Sequence, residues 1–344
     1  MSLSDLDKKL KEYCALEKIS GVLRVTLKDR IIYQSSFGYA NDQNQTVFSE
    51  NAMFTFYSMS KPLCAIGLMK LVEKGLVDLD AHPKKYLPEA DGFHEDVTIR
   101  HLLHHVSGLP DFEQNMEFCS RYKPGTNDRI REHLKLLTKY PSYFEPNTKG
   151  KYENINFVIP ALIIENVTGI RYADYMKKEV FEPLGMKTAL VDDVNLFAEN
   201  RVQGYTLENG MRIPIEKSYD WMFGAGDVVG TVDDAYCLNK AYKNKLLLSE
   251  KTWKEIVTPS PLNKMGLGNT VLGWHGKKCI RHNGGHLGFR TLHIQLPEDD
   301  FDIIILSNSG YGNARADIPE MLYEEFYENS EVISESIGMD VGYI

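Results

Sequence analysis

Phe54-Thr55-Phe56-Tyr57-Ser58-Met59-Ser60-Lys61 leads straight into an apolar run over residues 62–74 that stops at Gly75. The run has helical spacing, and Lys70 and Lys74 fall near its negative, C-terminal end. Ser58 and Lys61 are three apart. Such positions share one face of a helix, so the lysine amine can sit beside the serine oxygen. Ser58 falls near the helix N-terminus, where the dipole favours negative charge on its oxygen. Burial of Lys61 would lower its pKa and let it act as a neutral base. On the tetrapeptide alone, a plain helix cap at Ser58 explains the pattern as well. A second Ser-x-x-Lys, Ser120-Arg121-Tyr122-Lys123, is the weaker candidate, because Pro124 disfavours helical backbone at Lys123.

Outward from this segment the chain divides into three stretches. Residues 1–18 read as an amphipathic helix, and residues 21–28 and 30–40 as a β-hairpin around Lys28-Asp29-Arg30. From 61 to 181 the pattern is mostly helical, with helices over 98–106, 127–138, 154–167 and 172–181. Strand character returns at 278–282, 289–296 and 301–308, and a helix over 318–329 closes the pattern. The expected fold class is α+β. An antiparallel sheet is built from both chain ends (residues 1–60 and 190–344) with a helical domain (61–189) inserted, and the active site lies where they meet.

The chain has 344 residues, enough for a core that needs no staples, and a net charge of −9. It carries no contiguous basic stretch, so nucleic acid is not expected as a partner. Five cysteines, Cys14, Cys64, Cys119, Cys237 and Cys279, lie far apart without a C-x-x-C and read as buried small hydrophobes. No run reaches the ~18 apolar residues of a membrane span, so no integral membrane segment is expected. With no secretory signal at the start, cytoplasmic residence is the expectation. Export is the alternative if a native leader was trimmed ahead of Met1-Ser2-Leu3.

Other chemistries are disfavoured. There is no G-x-x-x-x-G-K-[ST], no H-E-x-x-H and no G-x-S-x-G. His101-Leu102-Leu103-His104-His105 lacks a carboxylate to complete a zinc site, so its histidines read as packing and hydrogen-bonding residues.

Further motifs accompany Ser58-x-x-Lys61. Tyr152-Glu153-Asn154 lies about 90 residues beyond the lysine, and His282-Asn283-Gly284-Gly285 opens the late strands. Together with residues 101–110, Glu182-Pro183-Leu184-Gly185, Gly224-Ala225-Gly226-Asp227 and Gly273-Trp274, this ordered set resembles the serine β-lactamase and penicillin-binding protein superfamily. The resemblance is to its branch of class C β-lactamases, D-Ala-D-Ala peptidases and related esterases. It implies the β-lactamase/transpeptidase-like fold and a serine hydrolase that works through an acyl-enzyme on an ester or amide. Ser58 is then the nucleophile, with Lys61 and Tyr152 as the proton-transfer pair. Asn154, His282, Gly284 and Gly285 are substrate-binding and oxyanion residues. The Lys61 ammonium is expected to favour a Tyr152 phenolate. No metal and no cofactor are implied, and the partner is a small-molecule or peptide substrate. His282 stands where class C β-lactamases have a lysine, which implies weak or no β-lactamase activity. The alternatives are a penicillin-binding or sensing protein that acylates without efficient turnover, and a true β-lactamase.

Overall fold

The computed structural model describes residues 3–112, 127–192, 200–215 and 222–328. Helix α1 (Leu3–Leu16) precedes the hairpin β1 (Gly21–Leu27) and β2 (Arg30–Phe37). The short strand β3 (Phe54–Thr55) and a 3-10 turn (Tyr57–Met59) lead into α2 (Ser60–Glu73). Helices α3 (Ile99–Leu103), α4 (Asn127–Leu137), α5 (Ile155–Thr168) and α6 (Tyr172–Met176) follow. Then come β4 (Leu190–Val191), the hairpin β5 (Tyr205–Glu208) and β6 (Met211–Pro214), and β7 (Val228–Gly230). Helices α7 (Val232–Asn244) and α8 (Glu250–Ile256) precede β8 (Thr270–Trp274), β9 (Lys277–His286), β10 (Phe289–Leu296) and β11 (Phe301–Ser307), and α9 (Ala314–Glu328) closes the fold.

The main sheet has the order β2-β1-β11-β10-β9-β8, with every pair antiparallel. It is the α+β arrangement predicted from the sequence, with first and last strands adjacent: Gly21 faces Ser307 and Leu27 faces Phe301. Both faces are covered, so β1 and β11 are buried along their whole length. Period-2 geometry sorts their side chains into two layers. Leu23, Val25, Ile303 and Ile305 pack with α1 and α9, while Val22, Ile304 and Leu306 join the cluster that continues through Phe54 and Phe56 into α2 and α5.

Several boundaries differ from the periodic reading. The predicted helix over 98–106 ends at Leu103, because His105 takes a left-handed φ of +55°. The predicted helix over 172–181 gives way to a π-turn at Lys177–Phe181. Strand β9 runs on to His286, past the expected end at 282 and through the glycine pair. A Cβ at Gly284 would stand 1.9 Å from the Phe56 carbonyl oxygen, so glycine there lets the Ser58 turn press directly on the strand. Helix α7 is absent from the sequence reading, although Thr231 and Asp234 form a capping box at its start.

Candidate active site

The Tyr57–Met59 turn is pinned between β7 and β10. Phe56 N–H donates to the Val228 carbonyl at 2.8 Å, and Thr291 Oγ1 donates to the Phe56 carbonyl at 2.7 Å. Tyr57 adopts φ +47°, and its hydroxyl donates to the Leu287 carbonyl at 3.0 Å. A left-handed non-glycine residue costs on the order of 1–3 kcal/mol and persists where its surroundings hold it. Here it turns the next residue, Ser58, out of the strand. The N-cap position of α2 makes no side-chain cap, and Ser58 Oγ is engaged elsewhere.

Lys61 is fully buried. Its Nζ donates to Ser58 Oγ at 2.9 Å, to Asn154 Oδ1 at 2.9 Å and to the Ala225 carbonyl at 2.8 Å. The last two partners can only accept. A neutral amine would satisfy both with its two N–H bonds and still turn a lone pair to the serine hydroxyl. Two carboxylates, to neither of which the sequence assigned a role, set this geometry. Asp111 accepts from the amides of Asn154 (2.8 Å) and Ile155 (3.0 Å), fixing the start of α5 and hence the Asn154 side chain. Asp227 accepts from Gly224 N–H at 2.7 Å, closing the turn that presents the Ala225 carbonyl, and burial pushes its own carboxyl up to about 7. Asp111 acts on residues 43 positions away, beyond the reach of any periodicity.

Tyr152 is 44% exposed, the most open of the group. Its ring stacks on His105 with centroids 4.3 Å apart and lies 6.0 Å from the His282 ring. His105 also grips the flanking backbone: Lys151 N–H donates to its carbonyl at 2.9 Å and Glu153 N–H to its Nδ1 at 3.2 Å. The phenolate expected from the sequence is not what the environment favours. Lys61 Nζ sits over the face of the Tyr152 ring, 4.8 Å from its centroid. Desolvation raises the phenol above its ordinary value, against a smaller lowering by the hydrogen bond with Ser58.

His282 is 3% exposed. Its Nδ1 lies 2.8 Å from the Asn283 carbonyl, which can only accept, so Nδ1 carries the proton and Nε2 is a buried acceptor with no hydrogen-bond partner among the described residues. Burial, reinforced by the nearby Lys61 charge, pushes its pKa down to about 3. Gly284 abuts the Ser58 turn, and Gly285, the next residue along β9, faces Arg290 across the strand pair. The structure thus brings Ser58, Lys61, Asn154 and Tyr152 into one cluster, with His282 and the glycine pair bordering it. The rival Ser120-Arg121-Tyr122-Lys123 and Cys119 lie outside the described residues. The other four cysteines are buried and unpaired. None of the described helices is long and apolar enough to cross a membrane.

The family model described as "Beta-lactamase" matches residues 6–327. Penicillin-binding protein 4* of Bacillus subtilis is 31% identical over 303 residues, covering 81% of this chain. The chain spans 65% of that relative's length. Among solved structures, D-amino acid amidase from Ochrobactrum anthropi SV3 superposes with a TM-score of 0.77 at 26% identity, covering 96% of this chain and 99% of the amidase. EstCE1, a hydrolase with promiscuous acyltransferase activity, shares the fold, with a TM-score of 0.80 at 18% identity over 94% of this chain and 98% of its own. The chain belongs to the Beta-lactamase family, within the superfamily of serine β-lactamases, penicillin-binding proteins and their esterase and amidase relatives.

Proposed function

We propose that this protein is a serine acyl hydrolase for small esters or amides. It would work in the cleft where a helical unit (61–189) meets a sheet unit (1–60 with 190–344). The observation that carries the reading is the 2.9 Å contact between Ser58 Oγ and a fully buried Lys61. Ser58 Oγ attacks the carbonyl carbon, and the carbonyl π pair moves onto oxygen. The N–H groups of Ser58 and Gly285 receive that oxyanion, where one such donor is worth about 3 kcal/mol of barrier. Lys61 takes the serine proton, and Tyr152, kept protonated by desolvation, donates a proton to the departing group. The proton held by Lys61 then resets Tyr152. Water attacks the acyl-enzyme by the reverse relay and releases the acid.

A neutral His282 offers an acceptor rather than a cation, which supports esters and amides over β-lactams. The likeness to a D-amino acid amidase supports the same choice. The test compares kcat/KM for a neutral p-nitrophenyl ester, a D-amino-acid amide and a chromogenic cephalosporin. Ester or amide turnover above cephalosporin turnover is expected. A cephalosporin turned over more efficiently than both would replace this reading with a β-lactamase, and acylation without release would replace it with a penicillin-binding sensor.

A further inference from the structure

Residues 101–110 have no part in the hydrolytic relay, yet they lie against the stretch that leads to Tyr152. Tyr143 N–H donates to the Gly108 carbonyl at 2.8 Å, Asn147 N–H to the Val106 carbonyl at 2.8 Å and Lys151 N–H to the His105 carbonyl at 2.9 Å. His105 ends this ladder. Its φ of +55° is left-handed, a strained conformation for a side chain other than glycine that persists where the surroundings hold it. Here a buried polar network does so. Ser107 Oγ donates to Asn156 Oδ1 at 2.6 Å, which turns the Asn156 amide nitrogen towards His105 Nδ1, 3.1 Å away. Glu153 N–H donates to the same Nδ1 at 3.2 Å. A backbone N–H can only donate, so Nδ1 is the acceptor and the imidazole proton sits on Nε2. Burial, reinforced by the Lys61 charge, holds the ring well below its ordinary pKa, so Nδ1 stays free to accept.

The network converges on one side chain. His105 binds the backbone on both sides of Tyr152, at residues 151 and 153, and stacks on its ring with centroids 4.3 Å apart and planes 26° apart. The other neighbour of the His105 ring is Phe157, at 5.3 Å, and the Phe157 ring lies 5.9 Å from Lys61 Nζ. Tyr152 itself is open to solvent, and an open tyrosine samples several rotamers unless a neighbour fixes its ring. The relay needs that ring fixed. The phenol must hydrogen-bond Ser58 and meet the departing group while Lys61 Nζ stays 4.8 Å from the ring centroid. A misplacement of about 1 Å in such a group costs roughly a hundredfold in rate.

We propose that His105 is a positioning residue for Tyr152, its backbone and ring together holding the phenol where it can protonate the leaving group. This rests on the hydrolase reading above. The informative variant is His105→Asn, since asparagine tolerates the left-handed backbone and can accept from Glu153 N–H but has no ring to stack. The test compares kcat/KM for the p-nitrophenyl and ethyl esters of one acid. p-Nitrophenolate departs as a stable anion, whereas ethoxide must be protonated as it leaves. His105→Asn should lower kcat/KM about a hundredfold for the ethyl ester and about fivefold or less for the p-nitrophenyl ester. In a Tyr152→Phe background the same substitution should change either value by less than about twofold, because the proton donor it positions is gone. His105→Gln gives the same reading should His105→Asn not fold. An equal loss for both esters, or one undiminished in Tyr152→Phe, would overturn the proposal and leave the hydrolase reading standing. Ring-13C-labelled tyrosine supplies a readout that needs no turnover. The Tyr152 signal, identified by its absence from Tyr152→Phe, should shift in His105→Asn as the stacked imidazole is removed, and an unmoved signal would also overturn the proposal. Wild type that turns over neither ester would overturn the hydrolase reading and the leaving-group role with it, while a shifted signal would still support the hold of His105 on the Tyr152 ring.

Discussion

Lowering the pH from about 7.5 to 5.5 should leave the ratio of anionic to neutral ester turnover unchanged. His282 is the titratable group on which that ratio would hinge, since it borders the Ser58, Lys61 and Tyr152 cluster. A histidine with its ordinary pKa of about 6.5 would be protonated in roughly three molecules of four at pH 6 and would then attract a carboxylate. Buried to 3% exposure beside Lys61, His282 is pushed down to about 3. At pH 6 that leaves about one molecule in a thousand protonated, and at pH 5 about one in a hundred. The assay is kcat/KM for an anionic aryl ester and its methyl ester across the range, reported as a ratio so that the pH dependence of Lys61 and Tyr152 cancels. A ratio constant within a factor of two is expected. A several-fold rise towards pH 6, abolished by His282→Gln, would show that His282 charges in the folded protein, and the burial argument would be wrong.

Lys61→Ala and Tyr152→Phe should each lower ester turnover by about 10²–10⁴-fold while circular dichroism stays native, and near-wild-type kcat in both would remove the proton relay. Asp111→Ala leaves the amides of Phe112, Asn154 and Ile155 without their acceptor and should cost about 2–4 kcal/mol in urea unfolding; an unchanged midpoint would show that α5 needs no cap there. His293, buried against Asn239, is pushed down to about 3 by burial and so folds neutral. Its depressed folded pKa makes that contribution complete above about pH 6.5 and lost at about 1.4 kcal/mol per unit as pH falls towards 4. The stability gap between wild type and His293→Gln should therefore close in that window, and a pH-independent gap would contradict a neutral His293.

What the sequence made legible followed from short-range regularities. The spacing of Ser58 and Lys61, the apolar run after them and the β-rich composition of β10 and β11 are each properties of fewer than twenty consecutive residues. The chain-end pairing was readable because strands cluster at both termini. Contacts that join distant segments were not. His105 holds the backbone around Tyr152, Asp111 holds Asn154, and Arg315 reaches β9 from α9, and none of these has a local period. The continuation of β9 through Gly284 was hidden because glycine there answers to a neighbouring backbone, not to a turn. The Tyr152 phenolate failed as an expectation for a related reason: spacing predicts that Lys61 is near, but only the fold shows it over the ring face.

The central claim is that Ser58 is the nucleophile, and intact-mass spectrometry after treatment with a fluorophosphonate tests it most directly. One phosphonyl adduct per chain is expected, with peptide mapping placing it on Ser58. The adduct should be absent from Ser58→Ala, while Ser58→Ala keeps the wild-type melting temperature within a few degrees. An adduct that persists in folded Ser58→Ala, or that maps to another residue in wild type, would contradict the account.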